Sequence, residues 1–180
     1  TDANVVVEGA TPGSSNGTWL LSARRTYYDL IAGPLADQDF PAFADLQLQS
    51  SWEMGPGHRL TFTGLGSIED ASLDFEDEGD GERATVGSDV TNNLLSVRFD
   101  AVLGGRSRAS TIVSWYRNEE QFGFNGRIRS DAQRSNAPDG SEATAFSDVI
   151  FDRTLGVEDA SIRQELDVQL SPRHLLGVGL

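Results

Sequence analysis

Apolar and polar residues alternate strictly along three stretches of the chain. In Asp45–Met54, Leu46, Leu48 and Trp52 occupy one side of the alternation, with polar and charged residues between them. The same period of two governs Asn93–Leu103 and Ala160–Leu170. A period of two predicts β-strands that have one apolar and one polar face.

Weaker alternation and clusters of turn residues predict six further strands, which brings the total to nine. We expect them at Asn4–Ala10, Trp19–Ile31, Arg59–Ile68, Ser110–Phe122, Thr144–Leu155 and His174–Leu180. No segment shows a strong helical period. The chain is therefore expected to be all-β.

Short and long connections between these strands mostly alternate along the chain. Three short ones lie at residues 55–57, 104–107 and 171–173, and a moderate one lies at 11–17. The long ones are predicted at 32–42, 69–92 and 125–143. This order favours an antiparallel up-and-down meander with tight turns at one edge, which is typical of outer-membrane β-barrels.

One turn sequence occurs twice. Met54–Phe62 aligns with Leu170–Val178, and each copy has a proline in the turn, a histidine two residues later and an alternating strand after it. Proline presets the backbone of a turn and cannot donate to a ladder. We interpret the two copies as one kind of hairpin used twice.

Composition excludes several classes of protein. The 180 residues include 28 acidic and 14 basic side chains, for a net charge of -14, which disfavours nucleic acid as a partner. Cysteine is absent, which excludes disulfides, cysteine-based zinc sites and thiol nucleophiles. No apolar run reaches the roughly 18–20 residues of a membrane-spanning helix.

Four segments resemble the early barrel of TonB-dependent outer-membrane receptors. Gly17–Leu30 is similar to an early barrel strand, and Phe40–Leu46 to the strand that follows it. Gly55–Gly66 resembles a periplasmic turn with its upward strand, and Gln164–His174 a later turn of the same barrel. The resemblance is dense over residues 4–75, thin over 76–147 and clear again over 159–180.

The resemblance implies the barrel portion of an importer in the bacterial cell outer membrane. Its cargo would be a scarce nutrient such as a metal chelate or an oligosaccharide. The partners would be the lipid bilayer and, in the full-length receptor, its own plug domain and the TonB complex. No plug domain or coupling box is evident, so residues 1–180 are expected to form a partial transmembrane β-barrel, a fragment of a larger receptor.

In such a barrel the two strand faces meet different surroundings. The convex, lipid-facing side should carry the apolar set, namely Leu46, Leu48, Trp52, Leu95, Val97, Phe99, Ile162, Leu166 and Val168. The concave side should carry the polar set, namely Gln47, Gln49, Arg98, Asp100, Arg163, Glu165 and Asp167. Six aromatic residues are candidates for an interfacial girdle: Trp19, Tyr27, Tyr28, Trp52, Trp115 and Tyr116.

The remaining chemical features are weak. The acidic run at 69–82 favours a solvated loop over a weak divalent-cation site, because the ordered spacing of a calcium loop is missing. Arg24 and Arg25 are expected to bridge carboxylates across strands. His58 and His174 lack further ligands at a telling spacing, and no serine lies in a nucleophile elbow. We expect no catalytic residues, no cofactor and no metal site, and hence no enzyme.

Two alternatives remain at this point. A soluble β-sandwich that serves in binding or adhesion would also use alternating strands, but it would bury the apolar faces against each other. A barrel without a plug, such as a porin or an assembly barrel, would share the architecture.

Overall fold

The computed structural model describes residues 2–13, 16–27, 41–77, 81–130 and 145–180. They form eight strands: β1 (Asp2–Ala10), β2 (Gly17–Thr26), β3 (Ala42–Gly55), β4 (His58–Asp77), β5 (Glu82–Val102), β6 (Ser107–Ser130), β7 (Ala145–Ser171) and β8 (His174–Gly179). A single 3₁₀ turn, Gly104–Arg106, joins β5 to β6.

All eight strands lie in one antiparallel sheet in the order of the chain. Each strand pairs with its neighbours in sequence, and the sheet is not closed, so β1 and β8 are its edges. The predicted all-β, up-and-down meander is confirmed. The described residues contain no second sheet to face this one, as a sandwich requires.

The prediction of nine strands was wrong because two of them are one. The expected strands at 144–155 and 160–170 are continuous in β7, which is 27 residues long. Gly156, Glu158 and Asp159 suggested a break in the sequence. In the structure each residue from Leu155 to Ala160 pairs with a residue of β6, so the strand continues without a break.

The long connection predicted at 69–92 was also wrong. β4 continues to Asp77 and β5 begins at Glu82, so most of the segment is strand; Leu73 pairs with Val86, and Phe75 pairs with Ala84. The period of two persists there, but apolar residues move from even to odd positions beyond Ile68. The connection predicted at 125–143 likewise begins later, because β6 runs to Ser130. Residues 131–144, and 28–40 of the first long connection, lie outside the described residues.

The repeated turn sequence gives two similar hairpins. In both, the ladder register shifts just before the turn, between Glu53 and Gly55 in one and between Gln169 and Ser171 in the other. Gly57 has φ +76° in the first turn, a conformation that favours glycine. The shared irregularity supports the interpretation of one hairpin type used twice.

The short turns descend steadily across the sheet. One row of paired residues crosses seven strands, and its members are Ala10, Thr18, Ser51, Thr61, Arg98, Ile112 and Arg163. The first hairpin ends its regular ladder at this row. The next three continue to Glu53, Val102 and Gln169, which lie two, four and six residues beyond it. The turns therefore advance by one residue per strand.

A constant stagger of this kind means that the strands are not perpendicular to the line that joins the short turns but are tilted from that perpendicular. One residue of about 3.3 Å against a strand spacing of about 4.8 Å corresponds to a tilt of about 35°. Barrel strands are tilted by about 35–45°. The sheet thus has the shear of a barrel wall although it is open.

The single sheet has almost no buried core. Among the described residues, Ala101 is the buried apolar residue and Ser110 the buried polar one, each 5% exposed. Large apolar side chains remain exposed, including Ile162 at 71%. The fold therefore rests on ladder hydrogen bonds and cross-strand contacts, and its apolar surfaces need a further partner.

Candidate functional site

The ladder register divides the side chains between two faces, which we call the Val97 face and the Arg98 face after adjacent residues of β5. Successive residues of a strand point to opposite sides of a sheet. The register places the whole predicted apolar set on the Val97 face and the whole predicted polar set on the Arg98 face. The predicted division into two sets is confirmed.

The sheet also divides along its strands, at the row Asp70, Asp89, Gln121 and Thr154. We call this row and everything beyond it on β4–β7 the distal half. The rest of the sheet, which contains the short turns, is the turn-proximal half.

In the turn-proximal half the Val97 face carries an apolar band, and on β6 and β7 the charged residues Arg117, Glu119 and Glu158 lie between this band and the distal half. On β4 it extends from Leu60 to Ile68, nine residues that span about 22 Å at the tilt derived above. The band ends at charged residues: at Asp70 on β4 and at Arg117 on β6. Arg117 lies in the row of Gly66, four residues nearer the turns than Asp70, so the border of the band slopes in the same direction as the turns.

Two polar residues inside the band, Thr111 and Gln164, are hydrogen-bonded to each other. Thr111 Oγ1 donates to Gln164 Oε1 at 2.6 Å across β6 and β7. Pairing of this kind is needed where no water is present to satisfy a polar group. These two side chains therefore do not interrupt the apolar character of the band.

Three tryptophans lie on the Val97 face, close to the ends of the band. Trp19 and Trp52 are near the short turns, and the Trp19 indole donates to the backbone oxygen of Ala10 at 3.1 Å. At the other end the Trp115 indole donates to Glu158 Oε1 at 2.8 Å. An indole with an apolar body and a bonded polar tip suits a membrane interface.

The other candidate girdle residues do not join them. Tyr116 was wrongly included, because it lies on the Arg98 face, where its hydroxyl donates to Asn92 Oδ1 at 2.9 Å. It directly follows Trp115 on a strand, so the two side chains point to opposite sides. Tyr27 follows the end of β2, and Tyr28 lies outside the described residues.

Ion pairs and hydroxyl groups occupy the Arg98 face of the turn-proximal half. As predicted, Arg24 bridges strands: its Nε lies 2.8 Å from Asp45 Oδ2. Arg98 binds Asp100 at 2.8 Å on the same strand. All four side chains are partly exposed. Leu65 and Leu94 form an apolar pair on the same face.

In the distal half the two faces exchange character. The Val97 face becomes charged, with Asp70, Asp74, Glu76, Arg83, Asp89, Arg127, Asp148 and Asp152. The Arg98 face becomes apolar and carries a cluster that we call the distal aromatic patch, defined as Leu73, Phe75, Phe122, Phe124, Val149 and Phe151. Phe122 and Phe151 have ring centroids 6.1 Å apart.

Residues 70–77 and 82 of the acidic run at 69–82 lie in the distal half, Glu69 lies one row nearer the turns, and residues 78–80 lie outside the described residues. The described carboxylates are distributed over both faces, with Glu69 on the Arg98 face and Asp70, Asp74 and Glu76 on the Val97 face. Thr85 donates to Asp74 at 2.6 Å across the ladder. Within the described residues, no group of three or more His, Asp or Glu side chains is arranged to hold a metal ion.

The two histidines belong to the turns. His58 stacks on Phe99 with ring centroids 6.1 Å apart, and its Nδ1 lies 3.1 Å from the backbone oxygen of Pro56. His174 Nδ1 lies 2.8 Å from the hydroxyl of Ser171. These contacts explain both histidines as parts of the repeated hairpin.

Comparisons with protein-family models, with curated proteins and with solved structures found no match to this chain. Among the described residues there is no helix long and apolar enough to cross a membrane. The surface geometry and the sequence resemblance are therefore the basis for a proposal about function.

Proposed function

We propose that this chain is part of the wall of an outer-membrane β-barrel, the barrel portion of a TonB-dependent receptor that imports a scarce nutrient. The observation that carries the proposal is the apolar band on the Val97 face, because its height is close to that of a barrel wall in a bilayer and its border slopes in the same direction as the short turns. Transmembrane barrels present an outward apolar band about 25 Å tall, flanked by aromatic residues.

Energetics favour lipid as the neighbour of this band. Leu46, Leu95, Val97 and Ile162 are each at least 42% exposed. Exposure to water costs roughly 25 cal/mol for each Å² of apolar surface, and lipid removes that cost. The strand backbones meet the second demand of a bilayer from β2 to β6, since within the band each of these strands pairs with both of its neighbours.

The polar face fits a hydrated lumen. Partly exposed ion pairs such as Arg24–Asp45 contribute little stability and also cost little when water reaches them. In a dry core the same charges would carry a desolvation penalty of several kcal/mol per ion. A wide, water-containing interior accommodates this face.

The exchange of faces supports an orientation. Above the bilayer the outer surface of a barrel meets water, which suits the charged Val97 face of the distal half. We place the short turns on the periplasmic side and the distal half beyond the outer membrane. This is the usual asymmetry of outer-membrane barrels.

The assignment to a TonB-dependent receptor is the finer part of the proposal. It is supported by the resemblance of Gly17–Leu30, Phe40–Leu46, Gly55–Gly66 and Gln164–His174 to early barrel segments. The proposed partners are the outer-membrane lipid, a plug domain, the TonB complex and a small-molecule or oligosaccharide cargo.

Cysteine labelling tests the membrane placement, and the absence of native cysteine removes background. Asn125→Cys in the distal half and Arg106→Cys in a short turn would be made in a Gram-negative host that exports the protein. A membrane-impermeant maleimide should label position 125 in intact cells and position 106 only after permeabilisation. Equal labelling at both sites, or recovery in the soluble fraction, would contradict the proposal.

The receptor assignment predicts in addition that cargo uptake stops in cells without TonB while the labelling pattern is unchanged.

A further inference from the structure

The distal aromatic patch is an apolar surface without a covering layer among the described residues. Phe75 is 56% exposed and Phe151 is 51% exposed, although both lie on paired strands. The surface lies on the Arg98 face, opposite the apolar band, so lipid that contacts the band does not reach it. An exposed apolar cluster of this kind marks an interaction site.

The charges around the patch indicate the sign of its ligand. Glu69 borders it toward the turn-proximal half, and Glu82 lies on the same face toward the β4–β5 turn. Neither carboxylate forms an ion pair within the described residues, and Glu82 Oε1 accepts a hydrogen bond from the backbone N–H of Arg129 at 2.8 Å. The neighbouring Arg153 is already paired with Glu120 at 2.5 Å.

The aromatic rings, like the two carboxylates, favour a ligand with a positive charge. A phenylalanine ring attracts a cation to its face through its quadrupole. Phe122, Phe124 and Phe151 lie close together on one face of two adjacent strands, because Phe124 pairs with Phe151 and Phe122 lies two pairs along. Several rings and two carboxylates thus surround one apolar surface in a chain with a net charge of -14.

We propose that the distal aromatic patch binds amphipathic organic cations, molecules that combine an apolar or aromatic body with a positive charge. The body covers the rings, and the charge lies toward Glu69 or Glu82. This inference goes beyond the proposed function, and it depends on that function only for the position of the patch inside the barrel mouth.

Two hydrophobic ions of equal shape and opposite charge test it directly. Equilibrium dialysis of the purified protein in one detergent would compare tetraphenylphosphonium with tetraphenylborate. We expect the cation to bind at least about tenfold more tightly than the anion, as ring attraction and two carboxylates require. Equal binding of the two ions, or tighter binding of the anion, would overturn the proposal.

Variants locate the binding and separate it from partition into detergent. Phe75→Ser with Phe151→Ser should weaken cation binding by about tenfold, because both exposed rings are lost. The double variant Glu69→Gln with Glu82→Gln should lower the ratio of the affinity for tetraphenylphosphonium to the affinity for tetraphenylborate. Leu95→Ser, on the apolar band of the Val97 face, is the matched control and should leave binding unchanged.

Far-UV circular dichroism checks that each variant retains its strands. An unchanged cation affinity in folded Phe75→Ser/Phe151→Ser protein would place the ligand elsewhere and refute the assignment to the patch. Cysteine labelling at positions 106 and 125 is independent of ligand binding, so failure of the patch and failure of the membrane placement are distinguishable.

Discussion

The turn-proximal and distal halves of β4–β7 use the same strands and the same ladder, yet their faces have opposite character. Near the turns, the Val97 face is apolar and the Arg98 face is polar. Beyond the row of Asp70 and Asp89 the arrangement is reversed. The comparison shows that one fold can carry opposite face characters in its two halves, so the fold alone does not determine which face is apolar.

A soluble sandwich has no reason for this reversal, since one face of each strand would face the core along its whole length. A barrel wall that emerges from a bilayer has one. Its outer face passes from lipid into water at a definite height, and its inner face passes from a hydrated lumen into the mouth. The reversal is therefore expected at the level of the membrane surface.

The largest expected effect concerns the state of the chain in plain buffer. Each half leaves an apolar surface uncovered, and β1 and β8 are open edges that can pair with other molecules. We expect the 180-residue chain to aggregate or enter inclusion bodies without detergent. Size-exclusion chromatography and thermal melting check this. A monodisperse monomer that melts cooperatively in buffer would favour the soluble binding module instead.

Arginine substitutions on one strand and one face separate the two halves. Val113→Arg lies in the apolar band of β6, and Asn125→Arg lies on the same face in the distal half. We expect Val113→Arg to lower the free energy of unfolding in lipid vesicles by about 2–4 kcal/mol, because it places a charge in the bilayer. Asn125→Arg, in water, should change it by less than about 0.5 kcal/mol. Similar values for both variants would remove the distinction between the halves.

Alanine substitutions at one glycine in each half compare how tightly the two halves are packed. A Cβ at Gly17 would lie 2.6 Å from Thr11 Oγ1 and 2.9 Å from Trp52 Cδ1, whereas a Cβ at Gly87 meets nothing within 4 Å. Gly17→Ala should destabilise the protein by about 1–3 kcal/mol through overpacking. Gly87→Ala should be neutral or slightly stabilising. Denaturant titration of both variants measures the difference, and a harmless Gly17→Ala would show that Trp52 does not cover this position.

The smallest expected effect tests whether the Arg98 face is wet near the turns. A double-mutant cycle of Arg24→Met and Asp45→Asn should give a coupling of about 0.2–1 kcal/mol, as for exposed ion pairs. If this face were in a dry core, the loss of one partner would cost about 3–5 kcal/mol. Denaturation of the single and double variants therefore distinguishes a hydrated lumen from a dry interior.

Much of the turn-proximal half could be predicted from sequence because alternation there keeps one phase. Leu46, Leu95 and Ile162 lie on one face as expected, and the repeated hairpins at His58 and His174 share their register shift. Local pattern was sufficient, because period-two alternation determines which side of a strand each residue occupies.

The distal half could not be predicted in the same way. At Ile68 the apolar positions of β4 change phase, and the carboxylates at 69–82 suggest a loop when read as a cluster. Only the pairing of Leu73 with Val86 and of Phe75 with Ala84 shows that the strands continue. The phase change itself was the available signal. The strand was predicted to end at Ile68, where this change of phase occurs.

We propose that the Val97 face meets lipid in the turn-proximal half and water in the distal half. Nitroxide labels at single cysteines along β5, in protein folded into lipid vesicles, test it most directly. Oxygen, which concentrates in the bilayer, should collide more with labels at Leu95, Val97 and Phe99 than at Ser96 and Arg98. A label at Thr85, on the same face in the distal half, should be relaxed more strongly by a water-soluble nickel complex than by oxygen. Oxygen preference at Thr85, or equal oxygen access at Val97 and Arg98, would contradict the account.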